Sequence, residues 1–213
     1  VFRLLDPPLH EFVPKSADKK AELAKELGIT VEEVEKRGEA LHEVNPMMGH
    51  RGVRLHVSFP LIAETQYRAI FEATAELLNA GAHPHPEIMI PVTISARELS
   101  FQKAICDRVK AEVEGRMDVN IKYQFGTMIE IPRAALTGNR MARAAEFFSF
   151  GTNDLTQMTY GFSRDDIGTF MGDYLGNKIL DNDPFQTIDT KGVGKLVEYG
   201  INAGRSTRPE LTC

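Results

Sequence analysis

Cysteine is scarce in this chain of 213 residues, which contains only Cys106 and Cys213. Two cysteines cannot build the disulfide framework of a small secreted domain, and their scarcity fits a reducing compartment. Basic residues are not in excess either, since the formal net charge is −5 and the isoelectric point about 5.7, which argues against nucleic acid or an anionic membrane as a partner. No apolar run approaches the length of a membrane-spanning helix. We therefore expect a cytoplasmic protein, or a plastid one if the source is a plant.

The residues that are present are typical of a soluble globular protein, with 42% hydrophobic and 26% charged residues. The length allows a sizeable core in one large domain or in two small ones. The chain begins with Val1, and its opening letters VFRLL already have the pattern of a strand. We interpret this start as that of a piece cut from a longer protein.

Apolar runs alternate with helical segments along the chain. The runs with the pattern of buried strands are VFRLL, EIMIPV, YQFGTMIEIP and EFFSFG, and a further strand is predicted to begin in RPELTC. Strands that are apolar on both faces and separated by helices indicate a parallel sheet covered by helices. Two α/β architectures fit this pattern, a (β/α)8 barrel and a doubly wound sheet.

Local signals predict where the helices begin. Ser95 with Glu98, and Thr30 with Glu33, have the spacing of a capping box, in which each side chain binds the backbone N–H of the other residue. The Lys- and Glu-rich segment of about 16–43 is predicted to form two short, solvated helices inserted in a loop. Other helices are predicted over about 60–81, 95–115 and 192–204, and from about 133.

Polar side chains follow two neighbouring predicted strands. In either architecture ligands bind at the carboxyl ends of the strands, so these side chains form the candidate site. Glu130 follows one strand and Asp154 follows the next, so that two carboxylates are expected to meet. They would repel each other unless a cation lay between them, and oxygen ligands of this kind suit Mg²⁺ better than Zn²⁺. The residue pattern therefore predicts a magnesium site at Glu130 and Asp154.

An anion is predicted beside this metal. Asn153 lies near the start of a predicted helix, where free N–H groups and the helix dipole favour a negative group. Arg51 follows the turn NPMMGH, and Arg164 is placed to return a guanidinium to the same anion. The pattern predicts a divalent metal next to a phosphate or a carboxylate.

Each of these residues also has a purely structural interpretation. A lone glutamate between Ile129 and Ile131 is typical of a solvent-facing strand position, and Asn153-Asp154 before a helix is typical of an N-cap. Arg164 with the two aspartates after it is typical of a surface ion-pair cluster. The convergence of these polar residues on successive strand ends favours a functional site.

Several long motifs resemble those of one enzyme family. LDPPLHEF, NPMMGHRGVRL, IMIPV, GTMIEIPRAAL and EFFSFGTNDLTQMTYGFSRDD are similar to motifs in the C-terminal domain of the pyruvate, phosphate dikinases, and the similarity extends over essentially the whole chain. Phosphoenolpyruvate synthase and enzyme I of the sugar phosphotransferase system share a looser pattern. His50 and the PPLHEF stretch favour the dikinases, since enzyme I has a tryptophan at the position of His50.

The resemblance implies a (β/α)8 barrel over residues 1–213 that binds phosphoenolpyruvate or pyruvate with Mg²⁺. By the same matching Glu130 and Asp154 hold the metal. The residues implied to bind the substrate are Glu130, Gly151, Thr152, Asn153, Asp154, Arg51 and Arg164, with the two arginines helping to neutralise its phosphate. The family exchanges a phosphoryl group between the enolate of pyruvate and a phosphohistidine on a separate domain, and the metal stabilises the enolate.

The resemblance also implies that parts of the barrel are missing. The chain matches the barrel from roughly its third strand to the start of its eighth, so the first strands and the end of the last strand are absent. Two further substrate arginines are expected on strands before residue 1, and the cysteine that protonates the enolate just after residue 213, so that Cys213 is not the proton donor. No catalytic residue is therefore assigned within the chain, and we expect the isolated chain to be inactive.

Two classes of function fit the sequence. The first is a phosphotransferase domain, either of a dikinase that converts ATP, phosphate and pyruvate to AMP, diphosphate and phosphoenolpyruvate, or of a phosphoenolpyruvate synthase or enzyme I-type relative. The second is a non-catalytic dimerisation module, because the C-terminal barrel of this family also forms the dimer interface. Bare strand edges likewise recruit another chain. We therefore expect a homo-oligomer.

Overall fold

Parallel strands and helices alternate along the chain in the computed structural model, which describes residues 1–43 and 45–213. The strands are β1 (Phe2–Arg3), β2 (Glu87–Ile90), β3 (Gln124–Ile129) and β4 (Phe148–Phe150). The helices are α1 (Ala17–Leu27), α2 (Val31–Ala40), α3 (Val53–Ser58), α4 (Pro60–Asn79), α5 (Ala96–Met117), α6 (Pro132–Leu136), α7 (Gly138–Met141), α8 (Thr152–Tyr160), α9 (Met171–Gly176) and α10 (Val193–Thr207). Single turns of 3₁₀-helix cover Leu9–Phe12, Pro46–Met48 and Ile167–Thr169.

The four strands form one parallel sheet in the order β1-β2-β3-β4. An isolated parallel bridge joins Phe147, just before β4, to Thr212. The segment RPELTC thus contributes one bridge where a strand was predicted to begin. The α/β class with a parallel sheet is confirmed. Within the described residues the sheet is open rather than closed, since four strands are too few to complete a barrel.

The main core lies between the sheet and the long helices α4 and α5. Tyr67 and Phe71 of α4 and Cys106 of α5 are all fully buried in it. Burial raises the pKa of the Cys106 thiol to about 12, so this cysteine acts as a small apolar residue. Within the part of the chain that the structure describes, no helix is long and apolar enough to cross a bilayer.

The predicted capping boxes form in one case out of two. At α5, Ser95 accepts from the backbone of Arg97 while the Glu98 carboxylate accepts from the Ser95 N–H, so this box is complete. At α2, Thr30 accepts from the Glu33 N–H, but the Glu33 carboxylate binds Arg37 instead. An i,i+4 ion pair has here replaced the second half of the box.

One helical prediction was wrong in detail, and one short helix was missed. The helix expected from about 133 forms two short helices, α6 and α7, separated at Thr137. Gly138, the first residue of α7, packs tightly against α10, since a Cβ there would lie 2.7 Å from the carbonyl oxygen of Gly200. The short helix α3 was missed, since six residues are too few to show a helical period. The helix predicted from Gly192 begins at Val193 with Gly192 as its N-cap, and the Asp189 carboxylate accepts from the N–H groups of Lys191, Gly192 and Val193.

Candidate functional site

Strands β3 and β4 place Glu130 and Asp154 at the same edge of the sheet. Glu130 directly follows β3, and Asp154 lies in the first turn of α8 directly after β4. Glu130 is only 2% exposed and Asp154 only 6%. The solvent-facing interpretation of Glu130 is therefore wrong. The N-cap interpretation of Asp154 is wrong as well, since the N-cap is Gly151 and no side chain caps this helix.

Glu130 is held by the backbone at the end of the neighbouring strand. The N–H of Val92, just after β2, donates to Oε1 of Glu130 at 2.5 Å. Val92 has φ of 60°, a left-handed conformation that costs an ordinary L-residue roughly 1–2 kcal/mol. The strained peptide aims its N–H at the carboxylate, and the surrounding core, in which Val92 is buried, keeps it there.

Gly151 allows the ends of β3 and β4 to approach closely. A Cβ at this position would lie 2.5 Å from Oε2 of Glu130 and 2.7 Å from Sδ of Met128. The φ of Gly151 is −86°, which any residue adopts, so that close approach explains the glycine and conformational freedom does not. Thr152 is exposed and Asn153 half-buried at the first turn of α8, beside the same carboxylates.

The surroundings of Glu130 favour the protonated form of its carboxyl group. Burial raises the pKa of Glu130 to about 8, the Val92 N–H works against this rise, and the charges of Asp154 and Asp6 add to it. No group of three or more His, Cys, Asp or Glu side chains among the described residues is arranged to hold a metal ion. Two carboxylates alone match Mg²⁺, which keeps waters and substrate oxygens as its remaining ligands.

Arg51 supplies positive charge at the centre of the site. Its Nε and one terminal nitrogen donate to the two carboxylate oxygens of Asp6 at 3.2 and 2.7 Å, and the same nitrogen donates to Oδ2 of Asp154 at 3.0 Å. The other terminal nitrogen donates to the carbonyl of Met47 at 3.2 Å. Burial acts to lower the pKa of Arg51, but the hydrogen bond and charge of Asp6, followed by the charge of Asp154, raise it. The sequence pattern placed Arg51 near the site but did not indicate these carboxylate partners.

Asp6 and Arg3 are site residues that the sequence analysis missed. Arg3 is the last residue of β1, and its guanidinium lies 4.0 Å from Asp6. The register pairs Arg3 with Met89 and Met89 with Gly126, so Arg3 lies on the sheet face that also carries Glu130. The available signal was LLDPP, in which a carboxylate follows a strand just as Glu130 follows β3.

Arg164 lies against the residues at the start of α8. Its guanidinium donates to Oδ1 of Asn153 at 2.9 Å, and its backbone N–H donates to Oε1 of Gln157 at 2.9 Å. Gln157 in turn donates to Oδ1 of Asp154 at 3.2 Å. Among the described residues no ion pair joins Arg164 to Asp165 or Asp166, and all three residues are exposed.

Comparisons with known proteins agree with the motif resemblance. Residues 1–208 match the family model of the PEP-utilising enzymes, PEP-binding domain. The chain is 53% identical over 212 residues to the pyruvate, phosphate dikinase of Clostridium symbiosum, covering 99% of this chain and 24% of that protein. It is 51% identical over 210 residues to that of Rhizobium meliloti and 49% identical over 211 residues to the chloroplastic one of Mesembryanthemum crystallinum, covering 98% of this chain and 23% and 22% of those proteins. The chain thus spans just under a quarter of the length of these relatives.

Proposed function

The chain belongs to the phosphoenolpyruvate-utilising enzymes, and we propose that it is the part of a pyruvate, phosphate dikinase that binds phosphoenolpyruvate or pyruvate. The observation that carries the proposal is the pair of buried carboxylates, Glu130 and Asp154, at adjacent strand ends with arginines around them. Relatives at 49–53% identity are named dikinases, which favours this reaction over those of phosphoenolpyruvate synthase and enzyme I.

Glu130 and Asp154 would hold Mg²⁺. Both side chains offer only oxygen atoms, and both are buried at one edge of the sheet, so the donor set fits a hard cation. When bound, the cation stabilises negative charge on the enolate and on the transferring phosphoryl oxygens. The two carboxylates fix its place, and Val92 and Gly151 fix the position of Glu130.

The arginines and the start of α8 would bind the anionic substrate. Arg164 presents its guanidinium next to Asn153, and Arg3 lies on the same sheet face as Glu130. A planar guanidinium forms two parallel hydrogen bonds to a phosphate or carboxylate, which orients the substrate as well as attracting it. Arg3 would add a third arginine to Arg51 and Arg164, one that the resemblance did not assign within this chain. Gly151 and Thr152 line the same end of the sheet.

The complete reaction needs groups outside this chain. The nucleotide-binding part, the phosphohistidine domain and the proton-donating cysteine all belong, on this proposal, to the longer protein. Within the chain, the side chains described above would bind pyruvate and orient it for the transfer. The four parallel strands follow one another in chain order, as neighbouring strands of a (β/α)8 barrel do. A doubly wound sheet would show a reversal of the strand order. The order therefore supports the barrel as the complete architecture.

The test is the binding of Mn²⁺, as a paramagnetic substitute for Mg²⁺, to the protein that carries this chain. Water-proton relaxation is measured with and without phosphoenolpyruvate, and with inorganic phosphate as the control anion. We expect phosphoenolpyruvate to tighten Mn²⁺ binding and to change the relaxivity of the bound ion, because its oxygens enter the coordination shell. Mn²⁺ binding that is indifferent to phosphoenolpyruvate would refute the proposed function.

A further inference from the structure

The Asp154 carboxylate is connected to the backbone of Arg164 through the side chain of Gln157. Gln157 lies on α8 one turn after Asp154, on the same face of the helix. Its amide nitrogen donates to Oδ1 of Asp154 at 3.2 Å, and its amide oxygen accepts from the N–H of Arg164 at 2.9 Å. Both ends of one amide group are therefore used, one on each partner.

The backbone of Gln157 binds the same turn. Helix α8 ends at Gly161, which has a φ of 68° and turns the chain back along the helix. The carbonyl of Gln157 accepts from the N–H of Gly161 and from that of Phe162, the latter at 3.1 Å. Together with the side-chain bond to Arg164, Gln157 thus binds three backbone N–H groups of the returning segment 161–164.

The guanidinium of Arg164 is held separately. It donates to Oδ1 of Asn153, and Nδ2 of Asn153 approaches Oδ1 of Asp154 at 3.5 Å. Two amide side chains therefore reach the same carboxylate oxygen, one connected to the backbone of Arg164 and the other to its head group. An exposed arginine otherwise samples many rotamers, and fixing it costs side-chain entropy. An arginine held in advance avoids most of that cost when an anion binds.

We propose that Gln157 is a positioning residue, which sets the place of Arg164 relative to Asp154 so that the guanidinium and the metal-binding carboxylate act on the same substrate. This inference rests on the proposed function and extends it to a residue that contacts neither metal nor substrate. Glutamine suits the role because its amide offers a donor to Asp154 and an acceptor to the Arg164 N–H. Glutamate would lose the donor, and methionine would lose both.

The test is a double-mutant cycle on the protein that carries this chain. Gln157→Met removes both side-chain hydrogen bonds at similar length, and phosphoenolpyruvate affinity is measured in the presence of Mn²⁺. We expect the phosphoenolpyruvate affinity of this variant to fall about tenfold, because it loses one hydrogen bond to the Asp154 carboxylate and one to the backbone of Arg164. In an Arg164→Ala background the same change should have almost no further effect, because the group that Gln157 positions has been removed. Equal losses in both backgrounds, or an unchanged affinity in the single variant, would overturn the inference.

Three controls separate this inference from other failures. Oxalate chelates the metal but carries no phosphate, so Gln157→Met should leave its affinity within about twofold. Gln186→Met is the matched control, since Gln186 is exposed outside the site. If the wild-type protein fails to bind phosphoenolpyruvate with Mn²⁺, the proposed function fails and the inference with it. If the wild type binds it and Gln157→Met does so equally well, only the inference fails.

A second variant covers the case in which Gln157→Met does not fold, which circular dichroism would show. Gln157→Glu keeps the acceptor for the Arg164 N–H and loses the donor to Asp154. The Gln157→Glu and Arg164→Ala changes should be coupled, so that Gln157→Glu lowers phosphoenolpyruvate affinity less in the Arg164→Ala background than in the wild-type background. Strictly additive losses from these two changes in a folded protein would overturn the inference.

Discussion

Arg51 donates to Oδ2 of Asp154 at 3.0 Å and so connects the segment after β1 to the helix after β4. The same guanidinium holds Asp6 through two hydrogen bonds. The Arg51 and Asp154 side chains are only 6% and 8% exposed, so the three charges are largely removed from water. Charges in such surroundings are costly unless paired, which makes each member necessary for the other two.

Removing Arg51 should destabilise the protein strongly. Arg51→Met leaves Asp6 and Asp154 without their buried cation, and breaking a buried pair in this way costs about 3–5 kcal/mol. The free energy of unfolding is measured by urea denaturation near neutral pH. Arg37→Met is the matched control, because Arg37 and Glu33 form an exposed pair, which contributes about 1 kcal/mol or less. Equal losses in the two variants would contradict the buried network.

Glu130 should be required for metal binding. Glu130→Gln keeps the volume but removes the charge, so the site loses much of the negative field that attracts a hard cation. We expect Mn²⁺ affinity, measured by paramagnetic relaxation, to fall at least about tenfold. Glu198→Gln, at an exposed carboxylate on α10 that pairs with Lys195, should leave the affinity unchanged. An unaltered affinity in Glu130→Gln would remove Glu130 from the metal site.

Gly151→Ala should weaken metal binding without adding or removing a charge. The new methyl group would lie 2.5 Å from Oε2 of Glu130, so that the carboxylate must move. We expect the affinity for Mn²⁺ to fall by about tenfold, as after loss of a residue that orients a ligand. Gly172→Ala serves as the control, since a Cβ at Gly172 would meet no atom within 4 Å. Identical Mn²⁺ affinities in the two variants would show that the close approach at Gly151 has no functional role.

The buried His56 should make stability depend on pH. Gln66 approaches Nε2 of His56 with its amide nitrogen at 3.3 Å, and Nδ1 has no partner among the described residues. Burial lowers the pKa of His56 from 6.5 to about 4, although the charge of Asp6 opposes this shift. Between pH 6.5 and pH 4, His56 therefore binds a proton in the unfolded chain but stays neutral in the folded protein. Stability attributable to His56 is complete above pH 6.5 and is lost as the pH falls toward 4.

The measurement is the free energy of unfolding between pH 4 and pH 7 for the wild type and for His56→Leu. We expect the difference between them to change by roughly 2–3 kcal/mol across this range, with the wild type losing more as the pH falls. His83→Leu, at an exposed histidine, is the control substitution. A difference between wild type and His56→Leu that does not vary with pH would show that His56 titrates normally.

The outer edge of β1 should recruit another chain. Within the described residues β1 pairs only with β2, and Val1 and Phe2 are 74% and 50% exposed. Phe2 also borders an apolar groove of about 350 Å³ beside α4. Exposed strand edges of this kind pair with a second copy, so we expect the isolated chain to sediment as a dimer or larger species. Phe2→Lys places a charge on this edge and should favour the monomer, whereas a clean monomer for the unaltered chain would refute the argument.

The sequence by itself determined the class of fold and the placement of two candidate carboxylates at neighbouring strand ends. Runs that are apolar on both faces and separated by helices require a parallel sheet with helical cover, and that pattern is local enough to be read directly. Strand ends of such a sheet meet at one edge, which is why the sequence pattern alone predicts that Glu130 and Asp154 lie together. Ser95 and Glu98 were likewise readable, because a capping box depends on residues three apart.

Only the tertiary structure decided how the charges are paired. Arg51 meets Asp154 across 103 positions of sequence, and no local pattern encodes which of several carboxylates a given arginine reaches. The role of Gly151 could not be predicted from the sequence either. Its φ is ordinary, and what excludes a Cβ there is the Glu130 side chain at the end of another strand. Pairing and close approach depend on the three-dimensional register of β1, β3 and β4, which long-range packing sets, whereas local propensity sets only the strands themselves.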